Sequence, residues 1–132
     1  MRIIFNNIEL IQELGKSNID VDVNAEGWNR KTAFHWSCTN GHAKIAEMLI
    51  NNSVELKIDL NAKDTIGRTA FHIACTEGCA QIVEKIIENA ECFKIDLKAK
   101  NFYGRTGFQI AEMMGELYIV DLIRRKLPVG KY

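Results

Sequence analysis

Three potential metal ligands, His72, Cys75 and Cys79, follow one another over eight residues of the sequence. Imidazole and thiolate groups are the usual ligands of structural zinc. Such sites need four ligands, normally arranged as pairs at short spacings, and this sequence lacks that arrangement. Gly78 also ends the helical segment before Cys79 is reached. The sequence therefore predicts neither a metal site nor a cofactor, and Cys75 is interpreted as a small buried hydrophobe.

The sequence also gives little evidence for a catalytic role of His35 and His72. Acid–base or nucleophilic catalysis needs a nucleophile or a carboxylate held beside the imidazole. No Ser, Cys or carboxylate pair recurs around the two histidines. Each instead stands three residues after a threonine, Thr32 or Thr69, which indicates a repeated structural unit. We expect no catalytic residue and no enzyme.

The two histidines occupy the same position in successive copies of a 37-residue repeat. The motif Thr-Ala-Phe-His begins at Thr32 and Thr69 and returns as Thr-Gly-Phe-Gln at Thr106. A fixed period is typical of solenoid proteins, whose repeats bury their apolar faces against their neighbours. Other positions that keep this spacing are Gly41, Gly78 and Gly115; Asp22, Asp59 and Asp96; Ala25, Ala62 and Ala99; and Ile45, Ile82 and Ile119.

One period predicts two helices and an extended connection. Thr69 is a good N-cap for a helix over 70–77, and the apolar residues of 80–89 form one stripe on a second helix. Residues 57–68 are expected to form an extended finger with a turn that contains Gly67. The predicted fold class is all-α with short β-like finger loops, an α-solenoid of stacked helix-turn-helix hairpins.

Residues 64–78 read Asp-x-x-Gly-Arg-Thr-Ala-Phe-His-x-Ala-x-x-x-Gly, which resembles the ankyrin repeat. The resemblance covers nearly the whole chain. An ankyrin repeat has about 33 residues, so the extra length falls in 51–57, after the second helix. The resemblance implies that His35 and His72 tie the preceding threonine to neighbouring backbone. Arg30 departs from the pattern, because the finger turn favours glycine there, so this turn is either strained or shifted to Gly27.

We expect a single ankyrin-repeat domain over 1–132, divided into an N-terminal half repeat (1–21) and repeats at 22–58, 59–95 and 96–132. The last repeat places Glu112 and Arg124 where earlier repeats carry Cys and Ile, as in a capping repeat that faces water. The half repeat lacks its first helix. Its apolar residues are then partly uncovered, which fits either a fragment of a longer array or self-association at that end. These residues are Ile3, Ile4, Phe5, Ile8, Leu10 and Ile11.

Composition narrows the functional classes further. The 132 residues include 17 acidic and 17 basic side chains, so no general attraction to nucleic acid is expected. The N-terminus resembles no secretory signal, and no segment reaches the ~20 apolar residues of a membrane span. We therefore expect no membrane insertion, a cytoplasmic or nuclear location, and four reduced cysteines.

The resemblance implies a protein-protein interaction module that binds a partner through its concave finger and inner-helix surface. The expected partner is a helix or extended peptide of another protein, with acidic groups facing a basic row. The alternative is a structural segment of a larger ankyrin array, as in a scaffold or the cytoplasmic region of a channel. Some of the exposed side chains are alternatively packed between adjacent fingers. The predicted partner-binding residues are Trp28, Asn29, Lys31, Thr39, Asn40, Thr65, Ile66, Arg68, Thr76, Glu77, Phe102, Tyr103, Arg105, Met113 and Met114.

Two asparagines are candidates for modification. Asn24 lies in Asp-Val-Asn-Ala and Asn61 in Asp-Leu-Asn-Ala. In ankyrin-like domains, asparagines at this position resemble substrates of an intracellular asparaginyl hydroxylase. Lys98 fills the third position, where no hydroxylation is expected.

Overall fold

The computed structural model describes residues 28–132, and within that range it contains six α-helices and no strand. The helices predicted over 70–77 and 80–89 are confirmed residue for residue, and so is the all-α solenoid of hairpins. A short 3-10 turn at Trp28–Arg30 precedes the first helix. The helices are α1 (Ala33–Thr39), α2 (Ala43–Asn51), α3 (Ala70–Glu77), α4 (Ala80–Asn89), α5 (Gly107–Met113) and α6 (Leu117–Lys126).

The helices pair into three hairpins that stack in two layers. Helices α1, α3 and α5 pack side by side as inner helices, and α2, α4 and α6 pack side by side as outer helices. The apolar stripes of both layers meet in one continuous core. Phe34, Phe71 and Phe108 are buried in it, which confirms their interpretation as core residues. None of the helices within residues 28–132 combines the length and the apolar character that crossing a bilayer requires.

Each hairpin begins with a threonine cap. The hydroxyl of Thr69 accepts from the backbone N–H of His72, and the His72 side chain accepts from the backbone N–H of Thr69. The same reciprocal capping box joins Thr106 to Gln109. The caps fix where each inner helix starts, and therefore where the preceding finger ends.

The finger turns use left-handed backbone conformations. Gly67 and Gly104 have φ values of 82° and 76°, and Arg30 takes the equivalent position with φ 60°. The first turn has therefore kept its place and accepted a conformation that costs a non-glycine residue free energy. Asn29 beside it also has φ 60°.

The insertions after α2 and α4 form compact turns. The backbone N–H of Leu56 donates to the carbonyl of Asn52 at 2.9 Å, and that of Ile58 donates to Ser53 at 2.8 Å. Lys57 ends the turn with φ 54°, and Lys94 does so one repeat later with φ 55°. The extra residues thus lengthen a connection without entering the core.

The C-terminal hairpin carries polar groups where earlier repeats are apolar. Glu112 and Arg124 are exposed and form an ion pair at 3.6 Å. The ring of Tyr132 packs on Phe108 with a centroid separation of 4.4 Å, so the last residue covers part of α5. The capping role of the repeat at 96–132 stays a prediction.

Candidate functional site

The second finger is shaped by one buried carboxylate. Oδ1 of Asp64 accepts from the backbone N–H groups of Ile66 and Arg68, each at 2.9 Å. Oδ2 accepts from Nε of Arg68, also at 2.9 Å. Burial alone would raise the pKa of Asp64, but these backbone and guanidinium donors hold that pKa below its usual value. Asp64 is therefore charged and fixes both the turn and the Arg68 side chain.

The third finger repeats this turn with an amide in place of the carboxylate. Oδ1 of Asn101 accepts from the backbone N–H groups of Tyr103 at 2.9 Å and Arg105 at 3.0 Å. Gly104 donates to the Asn101 carbonyl at 3.0 Å, as Gly67 donates to that of Asp64. The two fingers thus share a backbone shape but differ in charge.

Neighbouring fingers are joined through their backbones. The N–H of Phe102 donates to the carbonyl of Ile66 at 2.9 Å, and the N–H of Thr65 donates to that of Asn29 at 3.1 Å. The Phe102 ring also lies over Gly67, where an added Cβ would come within 2.5 Å of Cδ1. The finger tips therefore form one connected row rather than independent loops.

The finger tips present large side chains to water at the C-terminal end of this row. Phe102 is 70% exposed and Tyr103 74%, whereas Ile66 is 37% exposed. Thr65 is exposed and Asn29 is half-buried. Among the described residues, the large exposed apolar side chains of the finger tips are thus concentrated in the third repeat. The side chain of Trp28 lies outside the described part of the structure.

The ends of the inner helices form the second predicted set. The hydroxyls of Thr39 and Thr76 donate to carbonyls within their own helices, at 3.1 and 2.9 Å. Asn40 and Glu77 are exposed polar residues at the ends of α1 and α3. At the equivalent end of α5, Met113 and Met114 are 59% and 58% exposed. The third repeat therefore exposes large apolar side chains both at its finger tip and at the end of its inner helix.

The predicted basic row has three different environments. Nζ of Lys31 lies 4.9 Å from the centroid of the Trp36 ring, a cation–π contact. Arg68 is held by Asp64 at 2.9 Å. The side chain of Arg105 is exposed and forms no hydrogen bond or ion pair within residues 28–132. The three cations therefore differ in their contacts, since Lys31 and Arg68 have partners inside their own repeat, and the basic row as a binding surface stays a prediction.

The two histidines link consecutive repeats. Nδ1 of His72 accepts from the backbone N–H of Thr69 at 3.1 Å, and its Nε2 donates to the carbonyl of Arg105 at 2.9 Å. His35 makes the same pair of bonds with Thr32 and with the carbonyl of Arg68. An N–H donor on one side and a carbonyl on the other require the neutral Nε2–H tautomer. The role implied by the resemblance is confirmed.

This geometry predicts an acid-sensitive contribution to stability. Burial lowers the pKa of His72 in the folded state, although the bond to Arg105 partly opposes it. The contribution of the neutral ring is then present above the unfolded-state pKa of about 6.5 and is lost as the pH falls through the folded-state value. His72→Ala should lower the free energy of unfolding by about 1 to 3 kcal/mol at pH 7.5. Urea unfolding at pH 7.5 and 5.5 measures both effects.

A matched control comes from the chain itself. Gln109 accepts from the N–H of Thr106 at 3.0 Å, so His72→Gln can retain the cap without a titrating group. Stability of this variant should fall less between the two pH values than that of wild type. Equal stability of His72→Ala and wild type, or an unchanged pH response in His72→Gln, would contradict the assignment.

The residues first considered for zinc have other surroundings. Both ring nitrogens of His72 are engaged by backbone groups, and Cys75 is fully buried, which raises the pKa of its thiol. Sγ of Cys79 lies 3.8 Å from the carbonyl oxygen of Cys38. Within residues 28–132, no three His, Cys, Asp or Glu side chains lie close enough together to hold a metal ion.

Comparison with known protein families agrees with this architecture. A family model described as ankyrin repeats, in three copies, matches residues 1–101. The chain therefore belongs to the ankyrin repeat family, and the hairpin of α5 and α6 continues the same architecture beyond the matched segment. Proteins of this family generally act as protein–protein interaction modules and are typically non-enzymatic. No curated protein matches the chain.

Proposed function

We propose that this chain binds another protein through its finger tips and the ends of its inner helices. The observation that carries the proposal is the exposure of large apolar side chains at both sets of positions in the third repeat. Their exposed fractions are 58 to 74%. They are Phe102, Tyr103, Met113 and Met114.

Aromatic residues and methionine are enriched in protein interfaces, where a few of them supply most of the binding free energy. At the helix ends, the preceding repeats carry Thr and Asn or Thr and Glu where this repeat has Met113 and Met114. The exposed set is therefore not a general property of the fold. Partner specificity is expected to come from the third repeat.

The scaffold that presents these residues is held in place before binding. The fingers are joined by backbone hydrogen bonds, and the inner helices rest on a continuous core. A preorganised surface loses less conformational entropy when a partner docks. An extended peptide or a helix laid along the row of fingers is the geometry that this arrangement favours.

The proposal is tested by selecting binders from a random peptide display library on the full chain. Each selected peptide is then measured against Tyr103→Ala and against Val54→Ala. Val54 is a useful control because it is 79% exposed but lies in the insertion after α2. Binding should depend on Tyr103 and be insensitive to Val54; the reverse pattern would move the site to the insertions.

A structural segment of a larger array is the second candidate. It is favoured by Leu117 and Tyr118, which are 77% and 64% exposed on the first turn of α6. In the two preceding outer helices, the equivalents of Leu117 are the half-buried Ala43 and Ala80. Burial of Leu117 by a further repeat would account for its exposure here. In this case Tyr103→Ala would leave peptide selection unchanged.

We also propose Asn61 as a hydroxylation site. Its Nδ2 donates to the carbonyl of Lys94 at 2.9 Å, and its Oδ1 accepts from the N–H of Asp96 at 2.8 Å. Because both amide atoms are hydrogen-bonded to the segment that leads into the next repeat, a hydroxylase must open these contacts to reach the residue. Treatment with an asparaginyl hydroxylase followed by peptide mapping should add one oxygen at Asn61, and unmodified peptide would contradict the proposal. Asn24, the other candidate, lies outside the described residues.

A further inference from the structure

Arg105 differs from Arg68 in the residue four positions before it. Asp64 completes the second finger from within, because its carboxylate binds both the backbone turn and the Arg68 guanidinium. Asn101 supplies the same backbone bonds through Oδ1. The other end of its amide is an NH₂ group. This group is a hydrogen-bond donor and cannot accept a hydrogen bond from a guanidinium. The exchange leaves Arg105 without the internal acceptor that Arg68 has.

The charge of the surrounding segment changes in the same direction. Residues 59–68 contain two acidic and two basic side chains, whereas 96–105 contain one acidic and three basic side chains. Of the basic groups in 96–105, Lys98, Lys100 and Arg105 are all exposed. The third finger therefore carries a net positive charge, although the net charge of the whole chain is zero.

We propose that Arg105 binds a carboxylate of the partner and thereby determines specificity, an inference that rests on the proposed function. The guanidinium presents a planar set of donors that matches a carboxylate, and such charge-assisted pairs are the stronger hydrogen bonds. Phe102 and Tyr103 are exposed on the same finger. The ligand is a peptide segment in which an Asp or Glu side chain stands near an apolar side chain.

The test starts from the display library selected on the full chain, retaining peptides whose binding is lost with Tyr103→Ala. These peptides should be enriched in Asp or Glu. One acidic peptide and its counterpart with Asn or Gln in place of the acid are then measured on wild type, Asn101→Asp and Arg105→Gln. Asn101→Asp recreates the internal carboxylate of the second finger while leaving Arg105 in place.

Both variants should weaken the acidic peptide by about tenfold and leave the amide peptide nearly unchanged. Arg105→Lys should bind more tightly than Arg105→Gln, since the charge is retained. Val54→Ala, which removes an exposed side chain outside the fingers, should retain affinity for both peptides. Circular dichroism and thermal unfolding verify that all variants are folded.

The outcomes separate the two proposals. If Tyr103→Ala abolishes binding but Asn101→Asp binds the acidic peptide as wild type does, the binding surface stands and the role of Arg105 is overturned. Retained peptides without acidic residues overturn it as well. If the library yields no binder, or only peptides that bind Tyr103→Ala normally, the proposed surface is wrong and the inference falls with it.

Discussion

Replacing Phe71 by alanine should lower the free energy of unfolding by about 3 to 5 kcal/mol, the range for removing a large buried aromatic side chain. Phe71 is 2% exposed and belongs to α3, the inner helix that packs between α1 and α5. Its ring approaches Gly107 so closely that an added Cβ there would lie 2.8 Å from it. The substitution therefore opens a cavity where the second and third hairpins meet.

Phe102→Ala provides the matched comparison, because the same side chain is removed from a position that is 70% exposed. The substitution removes mainly the packing of the ring on Gly67, so we expect the free energy of unfolding to fall by about 1 kcal/mol or less. Urea unfolding of both variants gives the difference. Similar losses for the two would show that the phenylalanine of the Thr-Ala-Phe-His motif is not the packing residue of the stack.

The second large effect concerns binding. Tyr103→Ala should weaken binding of a selected peptide by about 1 to 3 kcal/mol, because exposed aromatic residues that become buried by a partner carry much of the affinity. Thermal stability should stay near that of wild type, since Tyr103 is 74% exposed. The same loss is expected for Trp28→Ala on the basis of the sequence alignment of the repeats. Isothermal titration calorimetry measures the affinities.

Val54→Ala again serves as the control, as an equally exposed apolar residue outside the fingers. Normal binding by both aromatic variants, with weaker binding by Val54→Ala, would place the interface on the insertions at 51–57 and 90–94. A parallel loss of folding in Tyr103→Ala would instead make the binding result uninformative about contact, which is why stability is measured on the same samples.

The helices were predictable because several independent signals coincide in each period. Thr69 caps α3, Gly78 takes φ 69° at its end, and the apolar stripe of α4 has helical spacing. When local capping and the burial pattern agree, helix bounds follow from sequence. The repeat also made the stacked arrangement predictable, because each hairpin has the same apolar faces to bury against its neighbours.

The finger surface was harder to predict because the contacts of its residues depend on neighbouring side chains that differ from one repeat to the next. Lys31, Arg68 and Arg105 share one repeat position, yet their contacts are set by Trp36, Asp64 and Asn101. The exchange of Asp64 for Asn101 is readable at the repeat spacing, but its effect on Arg105 emerges only when the hydrogen bonds of the turn are known. The left-handed conformations of Lys57 and Lys94 were also not predictable, because non-glycine residues rarely adopt positive φ.

The central claim, that a partner binds along the finger tips and inner-helix ends, is tested most directly by mapping a bound peptide on the isotope-labelled full chain. Backbone amide chemical shifts are followed by NMR during titration with a selected peptide. We expect the largest changes at 65–68, 102–105 and 113–114. Changes concentrated at 51–57 and 90–94, with the finger and inner-helix amides unperturbed, would contradict the claim.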